Sequence, residues 1–216
     1  MATSSTTPTT RARGHATRER LKHIAETLFA EHGVDAVTVR DIVKAAGLKN
    51  VASLNYYFGG KQGLVEALIL DGARASDTWR QERLDALAER GEPSVRELIR
   101  VLAWPVLSTN PVRVATDTHI RFINHVMAVN RRLFDDTVGR GWNQGYQRCL
   151  ALLRERIDLP VDTLNERFIF INIYLRAAFA ARETETARHP RNNIWNRTAT
   201  IEHLFDTVEA ILTARV

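Results

Sequence analysis

Hydrophobic positions near the start of the chain recur at helical spacing. They fall at i, i+3, i+4, i+7 and i+8, as Leu21, Ile24, Ala25, Leu28 and Phe29. This spacing predicts an amphipathic helix that begins near residue 17 and ends at Gly33, since glycine readily adopts the left-handed conformation that closes many helices. Residues 1–16 are rich in Ser, Thr and Arg and show no apolar face. We expect a disordered tail there.

Two further short helices follow in the pattern. Thr38 is a good N-cap and Asp41 stands where a capping box needs an acid, so a second helix begins there and ends at Gly47. A third segment ends at Gly59 and Gly60, and its inward positions are Val51, Leu54 and Phe58. Three short helices, the last two joined by a tight turn that contains glycine, predict a helix-turn-helix.

The outward face of the third segment is made of small and hydrogen-bonding side chains. It carries Ala52, Ser53, Asn55 and Tyr56. Such side chains can approach base edges and phosphates in a major groove, whereas a helix that only faces solvent more often carries Lys and Glu. Lys49 in front and Lys61 behind bracket this face with positive charge, as phosphate contacts require. The segment therefore predicts a surface that binds DNA.

This part of the chain contains three motifs, LFAEHG, VTVRDIVKAAG and NYYF, and Lys61 stands three residues after the last of them. With these motifs at these spacings, residues 17–68 resemble the DNA-binding domain of TetR-family transcriptional regulators of the TetR/AcrR type. The resemblance covers about a quarter of the chain. It implies that Thr38 and Arg40 contact phosphates, that the Tyr56 hydroxyl donates to the DNA backbone, and that Lys61 meets a phosphate at the start of a fourth helix.

The recognition segment departs from the commonest family pattern in its turn and at two residues. One additional residue stands between Gly47 and Leu54, and Asn55 replaces the usual tyrosine before Tyr56. The predicted DNA-binding set is completed by Lys49, Asn50 and Ala52. The longer turn sets the register in which these three residues would contact DNA. Gly60 stands where Ser commonly caps the fourth helix, and this exchange costs only a few tenths of a kcal/mol.

The pattern stays helical beyond Lys61. We predict helices over about 61–90, 94–104, 111–127, 131–157 and 162–188, and a last one over about 194–212. Strand-like alternation of useful length is absent from the sequence, so the predicted fold class is all-α. The prediction divides the chain into a helix-turn-helix DNA-binding domain over 17–62 and a helical ligand-binding and dimerisation domain over 63–216. The run FIFINIYLRAAFAA is apolar nearly all round, which favours a homodimer joined by this helix and the last one, as the resemblance also implies.

Several polar and aromatic residues of the larger domain are candidates for a ligand cavity. Pockets between bundled helices are mostly apolar with a few placed polar groups. The candidates are Trp104, Phe122, His125, Trp142, Tyr146, Asn172 and Arg176. They would suit a largely apolar or aromatic small molecule with one polar or anionic end. The alternatives are that the polar groups only bond neighbouring helices and that the aromatic rings are plain core. His119 and His125 are six residues apart and so on different helix faces, which argues against a metal site.

Charge, cysteine content and motifs narrow the function further. Residues 1–61 hold nine Lys or Arg against five Asp or Glu, so most of the net charge of +5 lies there, where DNA would bind. The single Cys149 fits a reducing compartment, and no apolar run is long enough to span a membrane, so we expect a cytoplasmic protein. Motifs for phosphate, serine-hydrolase, zinc-protease or dithiol chemistry are absent from the sequence, and we expect neither an enzyme nor a cofactor.

These observations predict a ligand-responsive repressor that binds a palindromic operator as a dimer. An activator, or a regulator controlled by a protein partner, would need the same DNA surface. A helical enzyme with an incidental helix-turn-helix is an alternative of another class. Tight binding to a palindrome would exclude the enzyme, whereas turnover of a compound by the purified protein would favour it.

Overall fold

The computed structural model describes residues 10–103, 118–139 and 141–215, and all regular secondary structure in these ranges is helical. The helices are α1 (Thr10–His32), α2 (Val39–Ala45), α3 (Ala52–Phe58), α4 (Lys61–Ala88), α5 (Val95–Ala103), α6 (His119–Val138), α7 (Gln144–Arg156), α8 (Val161–Arg188) and α9 (Thr198–Thr213), with a 3-10 turn at Ile194–Asn196. This confirms the predicted all-α class. None of the helices in these ranges combines the length and the apolar character needed to cross a bilayer.

The first three helices form a head with its own core. The buried side chains are those that the helical spacing predicted, among them Leu21, Phe29, Ile42 and Leu54, and the start of α4 closes this core with Leu64 and Leu68. Gly47 and Gly59 adopt φ values of 66° and 71°, the left-handed conformation in which glycine avoids a steric cost. Short α2 and α3 can therefore end abruptly and cross each other at the turn.

Two features of the head differ from the prediction. Helix α1 begins at Thr10, so residues 10–16, which we expected to belong to a disordered tail, are helical. The helix gains a contact there, because Gly14 lies against the hydroxyl of Tyr57. Val51, predicted to point inward, is 36% exposed, and Tyr57 packs against the core instead. The longer turn places Val51 at the N-cap of α3, ahead of the buried face.

Helices α4 to α9 form the body around a second core. Helix α4 packs on α6 and α7, and α9 packs on α5 and α8. Ser94 and Glu97 form the predicted capping box of α5, with the Ser94 N–H donating to the Glu97 carboxylate at 2.9 Å. The predicted single helix over 131–157 is wrong, because one helix ends at Val138 and the next begins at Gln144, and the part before the break joins α6 after a kink at Asn130. Gly141, with φ of 106°, allows the chain to turn there.

Two buried carboxylates each hold the first turn of a different helix in the body. Asp77 of α4 accepts from the Gly145 N–H at 2.7 Å, and Glu183 of α8 accepts from the N–H groups of Ile120 and Arg121 at 2.8 Å each. The first turn of a helix has unsatisfied N–H groups and a positive dipole end, so a carboxylate is well placed there. These bonds hold α7 on α4 and α6 on α8.

The head is joined to the body by an aromatic contact, by an ion pair and by a contact between a glutamate and a histidine. The rings of Phe29 in α1 and Phe122 in α6 stack with centroids 5.9 Å apart. Lys22 of α1 is almost fully buried and bonds Asp71 of α4 at 2.6 Å. Glu26 of α1 lies 3.6 Å from the His119 ring nitrogen at the start of α6. The orientation of the head is therefore set by α4 and α6 together.

Candidate nucleic-acid interface and cavity

Helices α2 and α3 and the turn between them carry exposed, mostly polar side chains, which form the polar surface of the head. Of the predicted DNA-binding residues, seven are exposed there and two are half-buried. The exposed ones are Thr38, Arg40, Lys49, Asn50, Ala52, Asn55 and Tyr56, and the half-buried ones are Ser53 and Lys61. Tyr56 is 83% exposed, although it is a large aromatic residue. Its ring meets that of Tyr57 edge-on, with centroids 5.0 Å apart, and its exposed polar end is available for a partner.

Thr38 builds the start of α2 through a complete capping box. Its hydroxyl accepts from the Asp41 N–H at 3.2 Å, and the Asp41 carboxylate accepts from the Thr38 N–H at 2.9 Å and from the hydroxyl at 2.6 Å. The hydrogen bond from the Thr38 side chain, followed by that from its N–H, lowers the pKa of Asp41. The box orients the first turn of α2, where Arg40 projects.

The turn before α3 has its own local support. The Asn50 side-chain oxygen accepts from the Ala52 N–H at 2.8 Å, which replaces an N-cap that Val51 cannot supply. This leaves the Asn50 amide NH2 as the part of the side chain able to donate to DNA. Lys61 begins α4, and its ammonium lies 6.0 Å from the centre of the Phe29 ring, at the edge of the polar surface.

Helix α1 adds cations that the sequence pattern did not assign to a site. The Arg18 guanidinium lies 5.2 Å from the Phe58 ring centre, behind α3, and bonds Glu19 at 3.2 Å. The additional turns of α1 continue past Tyr57. Arg18 lies in the first turn of the helix predicted from residue 17, and its position there gave no sign of the contact with Phe58.

A cavity of about 820 Å³ lies in the body, between α4, the end of α5, α6, α7 and α8. Its wall is mostly apolar, with side chains such as Ile123, Met127, Phe134, Phe168 and Phe179. A volume of this size is within the range of small-molecule pockets. Two of the helices that line it, α4 and α6, are also those that hold the head.

The predicted ligand-binding residues divide into three groups. Trp142, Tyr146, Asn172 and Arg176 line the cavity together. Phe122 and His125 do not: they lie on the face of α6 that meets the head, where Phe122 stacks on Phe29 and His125 approaches Gly33. This placement was not evident from the sequence, because the sequence does not show which side of α6 the head occupies. Trp104 lies outside the described residues.

The polar groups of the cavity meet around Tyr146. The Tyr146 hydroxyl accepts from the Asn172 amide at 3.3 Å, and the Arg80 guanidinium lies 5.6 Å from the Tyr146 ring centre. Arg80 was missed in the sequence because it stands in the charged stretch WRQER, which is typical of a solvated helix face. Burial lowers the pKa of both Arg80 and Arg176, and nearby Arg131 lowers that of Arg176 further. Among the described residues, no cluster of three His, Cys, Asp or Glu side chains could hold a metal ion.

Comparison with known proteins places residues 23–68 in the family of bacterial regulatory proteins, tetR family. The HTH-type transcriptional repressor KstR2 of Rhodococcus jostii is 46% identical over 52 residues, 24% of this chain and 25% of that protein. The regulator YttP of Bacillus subtilis is 41% identical over 54 residues, 25% of this chain and 26% of that protein. The chain thus spans about a quarter of the length of these curated relatives, and the matched part is the head.

Solved structures resemble the whole fold. A protein from Shewanella sp. PV-4, assigned to the tetR family of transcription regulators, superimposes with a TM-score of 0.54 at 15% identity, covering 91% of this chain and 95% of that one. The superantigen PfiT gives 0.53 at 17% identity, covering 91% and 94%. Identities this low show the fold alone. Together with the match of residues 23–68, they show a chain whose head is similar to bacterial regulatory proteins of the tetR family and whose overall fold is shared with these structures.

Proposed function

We propose that this chain is a transcriptional regulator that binds double-stranded DNA as a homodimer and responds to a small ligand held in the body. The observation that carries the proposal is the exposed polar surface of α2 and α3 within a tetR-type head. Repression is the favoured direction, because the relative KstR2 is named a transcriptional repressor.

The roles of the side chains follow from their positions on the head. Thr38, Arg40 and Lys61 stand at the first turns of α2 and α4, where side chains and helix N-termini suit phosphate oxygens. Ser53 and Asn55 face outward from α3 and reach base edges, while the exposed Tyr56 hydroxyl donates to the DNA backbone. Asn50 and Lys49, in the turn before α3, approach the backbone at the other end of the helix.

Helix α8 offers the surface for a second copy of the chain. Ile169, Phe170 and Ile173 are 59%, 55% and 53% exposed on one face of this helix. The apolar positions of α9, such as Leu204 and Phe205, are instead buried within the chain against α5 and α8. A dimer joined at α8 would bury the exposed stripe, and two heads about 34–36 Å apart would read the two half-sites of a palindrome.

Helix α4 supplies the physical link between ligand and DNA. Lys61 begins the helix at the DNA surface, whereas Gly72, Ser76 and Arg80 further along it line the cavity. A helix of 28 residues is about 42 Å long, so a small tilt in the body displaces the head by a larger distance. A ligand that binds the tilted arrangement more tightly would shift the dimer away from the DNA-binding separation.

The test is selection of bound DNA from a pool of random duplexes at two salt concentrations, followed by sequencing. The proposal expects a palindromic motif whose half-sites are one helical turn apart. Retention without sequence preference would contradict it.

Variants then separate the roles of the side chains. Lys61→Ala should weaken all sequences alike and lower the salt slope by about 1.

The matched control is Arg90→Ala, which removes the same charge just beyond the far end of α4. It should leave both the affinity and the salt slope unchanged. Asn55→Ala should instead relax the preference at one position of the motif. A uniform loss of affinity in Asn55→Ala would show that Asn55 is not a base contact.

A further inference from the structure

The wall of the cavity holds a cation, Arg80, that forms no ion pair with a carboxylate of the described residues. Arg80 lines the cavity from α4 and is largely buried. One of its terminal amines donates to the Leu102 carbonyl at 3.1 Å, while its Nε is buried and has no hydrogen-bond partner among the described residues. Asp77, one turn earlier on α4, attracts Arg80 electrostatically without forming an ion pair with it, and its carboxylate accepts from the Gly145 N–H. In the described part of the chain no carboxylate lies within ion-pairing distance of Arg80.

A second arginine, Arg176, lines the same cavity and is less deeply buried. Arg176 of α8 lines the cavity and donates from Nε to the Asn172 carbonyl at 3.4 Å. Its other contact is with the sulfur of Met127 at 2.8 Å, and a thioether is a weak acceptor. Elsewhere in the wall Arg131 bonds Asp135 at 3.4 Å, so the one carboxylate among the described lining residues already has a partner.

The two arginines are connected by Tyr146. The Arg80 guanidinium lies over its ring, and its hydroxyl accepts from Asn172, one turn before Arg176. Because the hydroxyl oxygen is already an acceptor for Asn172, its own hydrogen is left to donate. Two cations and one O–H donor therefore converge, while the rest of the wall is mostly apolar.

A buried cation without a partner costs stability, and a chain keeps one where a ligand supplies the opposite charge. We propose that the ligand of this cavity is an apolar molecule that ends in a carboxylate, and that Arg80, supported by Tyr146 and Arg176, binds that carboxylate. This inference rests on the proposed function, because it names the chemical class of the ligand that the same cavity would hold. The planar guanidinium suits the two oxygens of a carboxylate, which a point charge would match less well.

The test compares acids with their neutral isosteres by titration calorimetry on the purified full-length chain without DNA. The probes are octanoate, decanoate and dodecanoate and the corresponding primary amides, which share the apolar body and differ in charge. Wild type should bind the best acid at least about tenfold more tightly than its amide, since hydrogen bonds to charged groups are worth that much or more. Equal affinity for acid and amide, or no binding of any acid, would overturn the proposal.

Variants assign the preference to Arg80. Arg80→Gln should bring the acid down to the affinity of the amide while leaving amide binding within about twofold, which also shows that the cavity is intact. Arg80→Lys should keep part of the preference. The matched control is Arg83→Gln, which removes the same charge from an exposed position one turn further along α4, over Trp79. A full preference for the acid in Arg80→Gln would overturn the assignment.

The outcome is distinguishable from that of the DNA experiment. Because the titration contains no DNA, a carboxylate preference that depends on Arg80 would stand even if no palindrome were selected. Conversely, selection of a palindrome together with equal binding of acids and amides would leave the regulator in place and remove the carboxylate ligand.

Discussion

Thr38→Ala tests how far the candidate DNA surface depends on one local motif. The substitution removes a hydroxyl that accepts from the Asp41 N–H and donates to the Asp41 carboxylate. Loss of a threonine N-cap costs about 1 kcal/mol and up to about 2 kcal/mol. For a chain of this size each kcal/mol lowers Tm by about 2–4 °C. Helix α2 has only seven residues, so the loss falls on a helix with little other support.

The effect of Thr38→Ala should also depend on pH. Hydrogen bonds from Thr38 hold the pKa of Asp41 below its ordinary value of 3.8. A depressed folded-state pKa adds stability above the unfolded value, and that stability is lost as the pH falls through the folded value. The difference between wild type and Thr38→Ala should therefore stay constant from neutral pH to about 4 and become smaller below it.

The measurement is urea unfolding followed by far-UV circular dichroism, at one fixed protein concentration because association shifts apparent stability. Thr38→Ser keeps the hydroxyl and should unfold within a few tenths of a kcal/mol of wild type. The reasoning fails if Thr38→Ala unfolds at the wild-type midpoint, or if Thr38→Ser loses as much as Thr38→Ala.

Three other predictions concern the head, the dimer and the core. A Cβ at Gly63 would overlap the Phe58 carbonyl oxygen, so Gly63→Ala should lower the free energy of unfolding by about 1–3 kcal/mol and weaken DNA binding. Urea unfolding and fluorescence anisotropy measure the two effects, and the neighbouring control Gln62→Ala should show neither. Phe170→Lys places a charge in the exposed stripe of α8 and should convert the proposed dimer to a monomer by light scattering, and a variant that remains dimeric would locate the interface elsewhere. Burial raises the pKa of Cys149 to about 12. Its thiol should therefore react with iodoacetamide at pH about 8 far more slowly in the folded protein than in urea, and equal rates would contradict its burial.

The elements that the sequence predicted well are those decided by neighbours in the chain. The start of α2 follows from Thr38 and Asp41, three residues apart, and the start of α5 from Ser94 and Glu97 at the same spacing. Helix α8 was predicted to within one residue because its apolar run is long and bounded by Pro160 and by His189. The outward face of α3 followed from the same local periodicity once Leu54 was assigned inward.

The elements that the sequence did not predict depend on partners far away in the chain. Phe122 and His125 face the head because α1 lies on that side of α6, and no local pattern records the position of α1. Asp77 and Glu183 belong to stretches with many charges, and only their bonds to N–H groups 68 and 63 residues away show why they are buried. Arg80 was missed for the same reason, since its burial depends on α5 and α7.

The most informative region of the body is the junction where the cavity meets the head. Gly72 of α4 and His119 of α6 both line the cavity, and the absence of a side chain at Gly72 is what leaves room for the His119 ring. The same ring lies 3.6 Å from Glu26 of α1, inside the head. A ligand that contacts this part of the wall is thus one residue away from the helix that supports α2 and α3. Since packed interiors move between discrete arrangements rather than deform smoothly, a displacement of His119 must be taken up by α1, by α4, or by both. Either response changes the direction in which the polar surface of α3 points.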